Sequence, residues 1–168
     1  MPEYQVFHQQ AVKSFSAGED NEHQRRWTES QWEAKASNKK FNYDKSRAHL
    51  NFEIVKGSKI VPLGYSKPIL ERFQDRLEAT GAEDPNKGLE TPKYRIACNM
   101  IFSGDADRMR EMAFGNQNVE RAKGADNSHV KRKAEIELWA KDIYKAVADA
   151  WGEDLSLIHI SEPTRPLY

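Results

Sequence analysis

Apolar and polar residues alternate in three stretches of the chain, and each alternation predicts a β-strand. In YRIACNMIF, residues 94–102, apolar side chains occupy every second position, which is the repeat of one face of a strand. The other two predicted strands cover about Tyr4 to Val12 and the stretch HLNFEIV, residues 49–55. Strands of this kind with one apolar face are typical of an antiparallel sheet packed on one side.

HLNFEIV is the most informative of the three. Leu50, Phe52 and Ile54 alternate and are predicted to face the core. His49, Asn51 and Glu53 are therefore predicted to form a row on the opposite, solvent-facing side. An ordinary wet sheet face would carry the same pattern, so the row by itself does not establish a site.

Apolar residues spaced three and four apart predict helices between and after these strands. The helices begin at about Ser66, Asp105 and Val130 and end at about Gly81, Phe114 and Trp151. In the last helix the predicted apolar face consists of Ile136, Trp139, Ile143, Val147 and Trp151. These elements predict an α+β fold with a mainly antiparallel sheet and helices packed on one face.

Composition supports a single domain and argues against a membrane protein. The chain has 168 residues, 38% of them hydrophobic, with 26 basic and 26 acidic side chains. No apolar run approaches the roughly 20 residues that a membrane-spanning helix needs. A single cysteine, Cys98, excludes a disulfide framework and predicts a reducing, cytoplasmic location.

The balanced net charge hides a basic segment at residues 35–59. Its basic residues are Lys35, Lys39, Lys40, Lys45, Arg47, Lys56 and Lys59, against Asp44 and Glu53. A second basic cluster runs from Arg121 to Lys133. Such clusters suit a phosphate backbone, although most charged segments are only solvated surfaces.

Motifs ahead of the HLNFEIV strand indicate a more specific function. NEHQRRW places His23 and Arg26 in H-x-x-R spacing, and Asp44 and Arg47 precede the run Asn51-Phe52-Glu53-Ile54. In this order they resemble the plasmid mobilisation and recombination (Mob/Pre) family, which includes the V class of conjugative relaxases. The resemblance covers roughly residues 4–154 and implies a relaxase-like nuclease core.

Relaxases of this kind nick one DNA strand at a transfer origin and stay covalently attached to the 5′ end. The resemblance implies that His23 is the nucleophile and that Arg26 contacts the phosphate. Glu53 is expected to orient the imidazole or take its proton, and Tyr43 is the alternative nucleophile. Expected partners are single-stranded DNA or a supercoiled plasmid origin, and the residues expected to grip DNA are Lys39, Lys40, Arg47 and Asn51.

The chain departs from the family at the metal site. In the family, a strand after the long helix carries the motif H-x-D-E-x-x-P-H-x-H, whose histidines hold a divalent metal, Mg or Mn. The five histidines of this chain are scattered, with no H-x-H pair. We therefore predict no metal ligand in this chain, a core that lacks its metal-binding strand, and a fragment without nicking activity.

The last residues, LSLIHISEPTRPLY from Leu155 to Tyr168, resemble a translated transposon-end adapter of the type used in sequencing libraries. This resemblance predicts a partial relaxase domain over residues 1–154 and an artefactual tail over 155–168. Two functions stay open at this point. One is a truncated DNA-nicking relaxase, and the other is a non-catalytic nucleic-acid-binding or interaction protein.

Overall fold

Helices and antiparallel strands together form two compact units in the computed structural model, which describes residues 5–40, 43–122, 124–155 and 158–160. One unit consists of Met1–Arg26 and Lys67–Asp105, and the other of Trp27–Ser66 and Ala106–Tyr168. In chain order the elements are β1 (Gln5–Val12), α1 (Ala17–Gln24), α2 (Glu29–Ser37), a 3-10 helix (Lys45–Leu50), β2 (Phe52–Val55), β3 (Lys59–Pro62), α3 (Ile69–Thr80), β4 (Ala97–Gly104), α4 (Ala106–Phe114), α5 (Ala134–Trp151), a second 3-10 helix (Glu153–Leu155) and β5 (Ile158–Ile160). The predicted α+β class is confirmed.

The first unit is built on a two-stranded antiparallel ribbon. β1 pairs with β4 along its whole length, from Gln5 opposite Gly104 to Val12 opposite Ala97. The side chain of Asn86 binds the loop before β4, because its oxygen accepts the N–H of Tyr94 at 2.7 Å while its amide donates to the Tyr94 carbonyl at 2.8 Å. With both of its backbone groups bonded to Asn86, Tyr94 lies outside the strand. β4 therefore begins three residues later than predicted.

The second unit holds the hydrophobic core. β2 is the middle strand of a three-stranded antiparallel sheet ordered β3-β2-β5, and α5 packs against β2. One cluster of buried apolar residues consists of Phe52, Ile54, Ala140 and Tyr144. A second cluster, beneath α4, consists of Leu50, Ala113, Phe114, Val130 and Ile136.

The prediction of one sheet containing all three predicted strands is wrong. β1 and β4 pair only with each other among the described residues, while β2 pairs with β3, a strand that was not predicted. A tight loop joins β2 to β3, with Gly57 at φ 82° and Ser58 at φ 56°. Left-handed backbone of this kind turns the chain sharply enough for an adjacent strand to pair.

HLNFEIV is only partly a strand, and its predicted solvent-facing row is wrong. The Asp44 side chain accepts the Ser46 N–H at 2.9 Å and caps a 3-10 helix that continues to Leu50. The strand therefore begins at Phe52. Asn51 is 8% exposed and Glu53 is 0% exposed, so both are buried, and only His49 is exposed.

The three predicted helices are present, with two starts and one face corrected. α3 begins at Ile69, three residues after the predicted start at Ser66. Gly81, in the left-handed region at φ 66°, ends α3 as expected. α5 begins at Ala134 instead of Val130, because the Lys133 N–H donates to the Ala113 carbonyl at 2.8 Å and holds the preceding segment against α4. The buried face of α5 consists of Ile136, Ala140 and Tyr144. Trp151, predicted to lie on this face, is 51% exposed.

Part of the C-terminal stretch pairs with the sheet of the second unit. β5 lies antiparallel to β2, with His159 opposite Glu53. Residues 161–168, like Tyr4 at the predicted start of the first strand, lie outside the described residues. The interpretation of residues 155–168 as an artefact stays a prediction, as does the domain boundary at 154. No described helix is both long enough and apolar enough to cross a membrane.

Candidate nucleic-acid interface

The residues predicted to act on DNA are divided between the two units. His23 and Arg26 belong to the first unit. Those in the second unit are Lys39, Lys40, Tyr43, Arg47, Asn51 and Glu53. The expected interaction of Glu53 with His23 would join residues of different units, and it stays a prediction.

His23 and Arg26 lie on either side of a helix end. His23 is exposed and belongs to the last turn of α1. Arg25 has a left-handed backbone at φ 55°, which breaks the helical path, so the three-residue spacing does not place the pair on one helical face. Arg26 Nε donates to Oε1 of Gln24 at 2.9 Å, and Gln24 is only 2% exposed. A buried amide therefore orients the Arg26 guanidinium.

Lys39 and Lys40 are exposed in a turn at the end of α2. The other end of α2 is fixed by a capping box, in which Thr28 Oγ1 accepts the Gln31 N–H at 3.3 Å and the Gln31 side chain accepts the Thr28 N–H at 2.9 Å. Asn38 ends the helix, and its side-chain oxygen accepts the Lys40 N–H at 2.9 Å. The turn that carries both lysines is thus held by a defined hydrogen bond.

An aromatic cluster lies beside this helix. The Trp27 ring packs edge-on against Trp32, with centroids 4.8 Å apart, and against Tyr43 at 5.0 Å. Lys35 Nζ lies 4.6 Å from the Trp27 ring centroid and 5.7 Å from that of Tyr43. Trp32 is buried, whereas Trp27, Tyr43 and Lys35 are half-buried. We call Trp27, Lys35 and Tyr43 the aromatic-lysine cluster.

Arg47 and Asn51 are much less accessible than the two lysines. Arg47 Nε lies 3.3 Å from Oδ2 of Asp44, and the side chains of Arg47 and Asp44 are 16% and 2% exposed. The Asn51 N–H donates to the Ala48 carbonyl at 3.2 Å and closes the 3-10 helix. Both residues stabilise the start of β2 in this structure, and their expected contacts with DNA stay predictions.

Glu53 makes backbone contacts that link β2 to the segment after β3. Its Oε1 accepts the Gly64 N–H at 2.6 Å, and its Oε2 accepts the Ser66 N–H at 3.1 Å. The residue is fully buried, and a buried backbone N–H without an acceptor would be costly. Glu53 therefore provides acceptors for two partly buried N–H groups and fixes the loop that precedes α3.

The second basic cluster is partly structural. Arg132 donates to the Leu50 carbonyl and to Glu137, each at 2.8 Å, and its guanidinium lies 4.2 Å from the Phe52 ring centroid. Asn127 is fully buried and donates to Ser46 Oγ at 3.2 Å. Asn127 and Arg132 therefore bond to the capped 3-10 helix and stabilise the start of β2.

The divalent metal implied by the family resemblance does not fit the described residues. Among them, no three His, Cys, Asp or Glu side chains are grouped so that they could hold a metal ion. No step of the proposed chemistry is therefore assigned to a metal held by these residues.

Comparisons with protein-family models, with curated proteins and with solved structures gave no match. In the sequence alone, Tyr43 is the alternative nucleophile and Lys35 is one of several basic residues, and no pattern relates either to Trp27. The signal that could have found the cluster is weak, because Trp27 and Tyr43 are 16 residues apart and their contact depends on the chain returning past α2.

Proposed function

We propose that this protein binds single-stranded DNA through its second unit and is the N-terminal part of a DNA-nicking relaxase of the Mob/Pre type. The observation that best supports DNA binding is the exposed pair Lys39 and Lys40, held in a defined turn beside the aromatic-lysine cluster. The ordered motifs from His23 to Glu53 support the relaxase assignment. A cytoplasmic location suits both.

The proposed chemistry is an in-line attack on a backbone phosphate. A neutral His23 nitrogen forms a bond to phosphorus, and the bond from phosphorus to the 3′ oxygen breaks, leaving a free 3′ hydroxyl after that oxygen takes up a proton. Arg26 neutralises charge on the non-bridging oxygens. In the intact family, a divalent metal adds to this stabilisation. The described residues do not supply that metal site, and we propose that the chain binds DNA without nicking it.

DNA binding is tested by the salt dependence of affinity. Each phosphate contact to a single strand contributes about 0.7 to the slope of log affinity against log salt. Lys39→Ala with Lys40→Ala should therefore weaken binding of a labelled oligothymidylate and reduce the slope by about 1.4. The matched control, Lys141→Ala with Lys145→Ala on α5, removes the same charge from the same unit. Equal slopes for the two double variants would refute the lysine-pair interface.

The relaxase assignment is tested by a chimera in which a metal-binding strand from a full-length relative follows residue 154. We expect this chimera to nick supercoiled plasmid and form a covalent protein-DNA adduct. His23→Ala should abolish the adduct, whereas Tyr43→Phe should retain it. The opposite result would assign the nucleophile to Tyr43.

The alternative is a non-catalytic nucleic-acid-binding or interaction protein. It is favoured by the structural contacts of Glu53 and Arg47, two motif residues that stabilise backbone or neighbouring side chains in this structure. A chimera that folds and binds its origin DNA but leaves the plasmid uncut would support this alternative.

A further inference from the structure

We infer that the aromatic-lysine cluster is a base-stacking site for single-stranded DNA, in which Trp27 or Tyr43 stacks against a base while Lys35 moves to a phosphate. This inference rests on the proposed DNA-binding function and goes beyond it, because it assigns recognition of the bases to residues that the basic pair does not include. Its occupant is one nucleotide of a single strand, with the neighbouring phosphates on Lys39 and Lys40.

The first argument is the rigidity of the aromatic rings. Trp27 packs edge-on against the buried Trp32 at 4.8 Å and against Tyr43 at 5.0 Å, with interplanar angles of 81° and 75°. Trp32 in turn lies on α2, whose start is fixed by the Thr28 capping box. Rings held in this way lose little conformational entropy when they bind a ligand, so a stacked base adds its full contact energy.

The second argument is the position of a cation on the same rings. Lys35 Nζ lies 4.6 Å from the Trp27 centroid and 5.7 Å from the Tyr43 centroid. A cation–π contact contributes about 0.5–1 kcal/mol when exposed and about 2 kcal/mol when desolvated, and this half-buried contact lies between those limits. A base has a π-face and carries a phosphate beside it, so it can replace the ammonium on the ring and attract that ammonium to its own backbone.

The third argument is the charge of the surrounding surface. α2 carries Lys35 in its last turn, and the exposed Lys39 and Lys40 follow directly in the next turn. An alternation of aromatic rings and lysines within one short segment is the arrangement by which single-stranded nucleic acids are bound without sequence preference. A duplex keeps its bases stacked internally, so this arrangement selects a single strand.

The experiment compares two labelled ten-nucleotide probes of equal charge, an oligothymidylate and an abasic oligomer of the same length. The unmodified full chain should bind the oligothymidylate at least about 5-fold more tightly, since one stacked base contributes about 5- to 150-fold by alanine substitution. Trp27→Ala should remove that preference and leave the salt slope unchanged. Trp27→Phe, which keeps a ring, should retain most of the preference.

A matched control is Trp151→Ala, which removes a half-exposed tryptophan from α5 of the same unit and should change neither affinity. Lys35→Ala should weaken binding of both probes and lower the salt slope by about 0.7. The unmodified protein tests the preference directly, and an unchanged salt slope in Trp27→Ala separates loss of the ring from loss of the folded lysine turn.

The outcomes separate this inference from the proposed function. If the unmodified protein binds both probes equally while the Lys39 and Lys40 double variant still lowers the salt slope, stacking is refuted and DNA binding stands. If Trp27→Ala weakens both probes to the same extent, stacking is refuted as well. If neither probe binds, the inference and the proposed function both fail.

Discussion

Replacing Glu53 by Gln tests whether its buried carboxylate stabilises the fold. In the structure, the two carboxylate oxygens accept the backbone N–H groups of Gly64 and Ser66 at 2.6 and 3.1 Å, and the residue has no exposed surface. Glutamine has nearly the same shape but only one acceptor oxygen. Its NH₂ group is a donor, so it must face one of the two backbone donors without bonding to it.

The size of the effect follows from those two contacts. A hydrogen bond to a charged group contributes about 1.5–3 kcal/mol, and a buried donor left without a partner costs about 1–3 kcal/mol. The two ranges describe largely the same loss, so they are not added. The neutral amide also removes the cost of burying a charged carboxylate. We therefore expect Glu53→Gln to reduce the free energy of unfolding by about 2–3 kcal/mol.

Urea unfolding followed by far-UV circular dichroism measures this loss. With a typical urea slope, the unfolding midpoint should fall by about 1–2 M. Glu33→Gln, an exposed change on α2 of the same unit, serves as the control and should stay within about 0.5 kcal/mol of the unmodified protein. A Glu53→Gln variant as stable as that control would show that the contacts of Glu53 to Gly64 and Ser66 do not stabilise the fold.

The other predictions concern polar contacts that hold the second unit together. Tyr144→Phe should cost about 1.5 kcal/mol, because the buried hydroxyl donates to Glu153 Oε1 at 3.0 Å. Asn127→Ala should cost about 2–3 kcal/mol, because its buried amide bonds to backbone and side-chain groups of two segments. Asp154 raises the pKa of Lys56 above 10.5, through a hydrogen bond first and its charge second. The small stabilisation from this pair is therefore present below pH 10.5 and lost as the pH rises through the raised pKa.

Each of these predictions has a matched test. Tyr65→Phe, at a 64% exposed tyrosine, and Asn116→Ala, at an exposed asparagine, should leave the urea midpoint unchanged. If a control variant lost as much stability as its buried counterpart, the losses in Tyr144→Phe and Asn127→Ala could not be assigned to the buried hydrogen bonds. For Lys56, an NMR titration of its side-chain carbon in the Asp154→Asn variant should give a lower pKa than in the unmodified protein. An identical titration curve would exclude the ion pair in solution.

Local signals in the sequence were reliable where the structure depends on a few neighbouring residues. α3 and α5 end as predicted, at Gly81 and Trp151, because the residue that follows each helix, Gly81 or Gly152, tolerates positive φ. The period-two apolar pattern of residues 94–102 predicted a strand. In the second half of β4, half-buried and exposed residues do alternate. These features involve contacts within a few residues, which spacing and turn chemistry describe well.

The candidate site was less predictable from sequence. The motif residues Asp44, Arg47 and Glu53 were visible as a pattern, but their contacts were not. Asp44 caps a 3-10 helix that shortens the predicted strand, and this cap moves Asn51 out of the predicted row. A side chain that bonds to the backbone two residues ahead competes with strand formation, and apolar alternation carries no information on which one prevails.

By itself, the sequence determined the α+β class and the approximate positions of α3, α4 and α5, and it identified Lys39 and Lys40 among the candidate DNA-binding residues. Tertiary structure alone decided the strand pairing, the burial of Glu53 and the contact of Trp27 with Tyr43. Helix periodicity arises from hydrogen bonds four residues apart, so local residues specify it. The burial of a carboxylate depends on which distant backbone N–H groups the folded chain brings within bonding distance, and Gly64 and Ser66 become those partners only when β2 and β3 have paired.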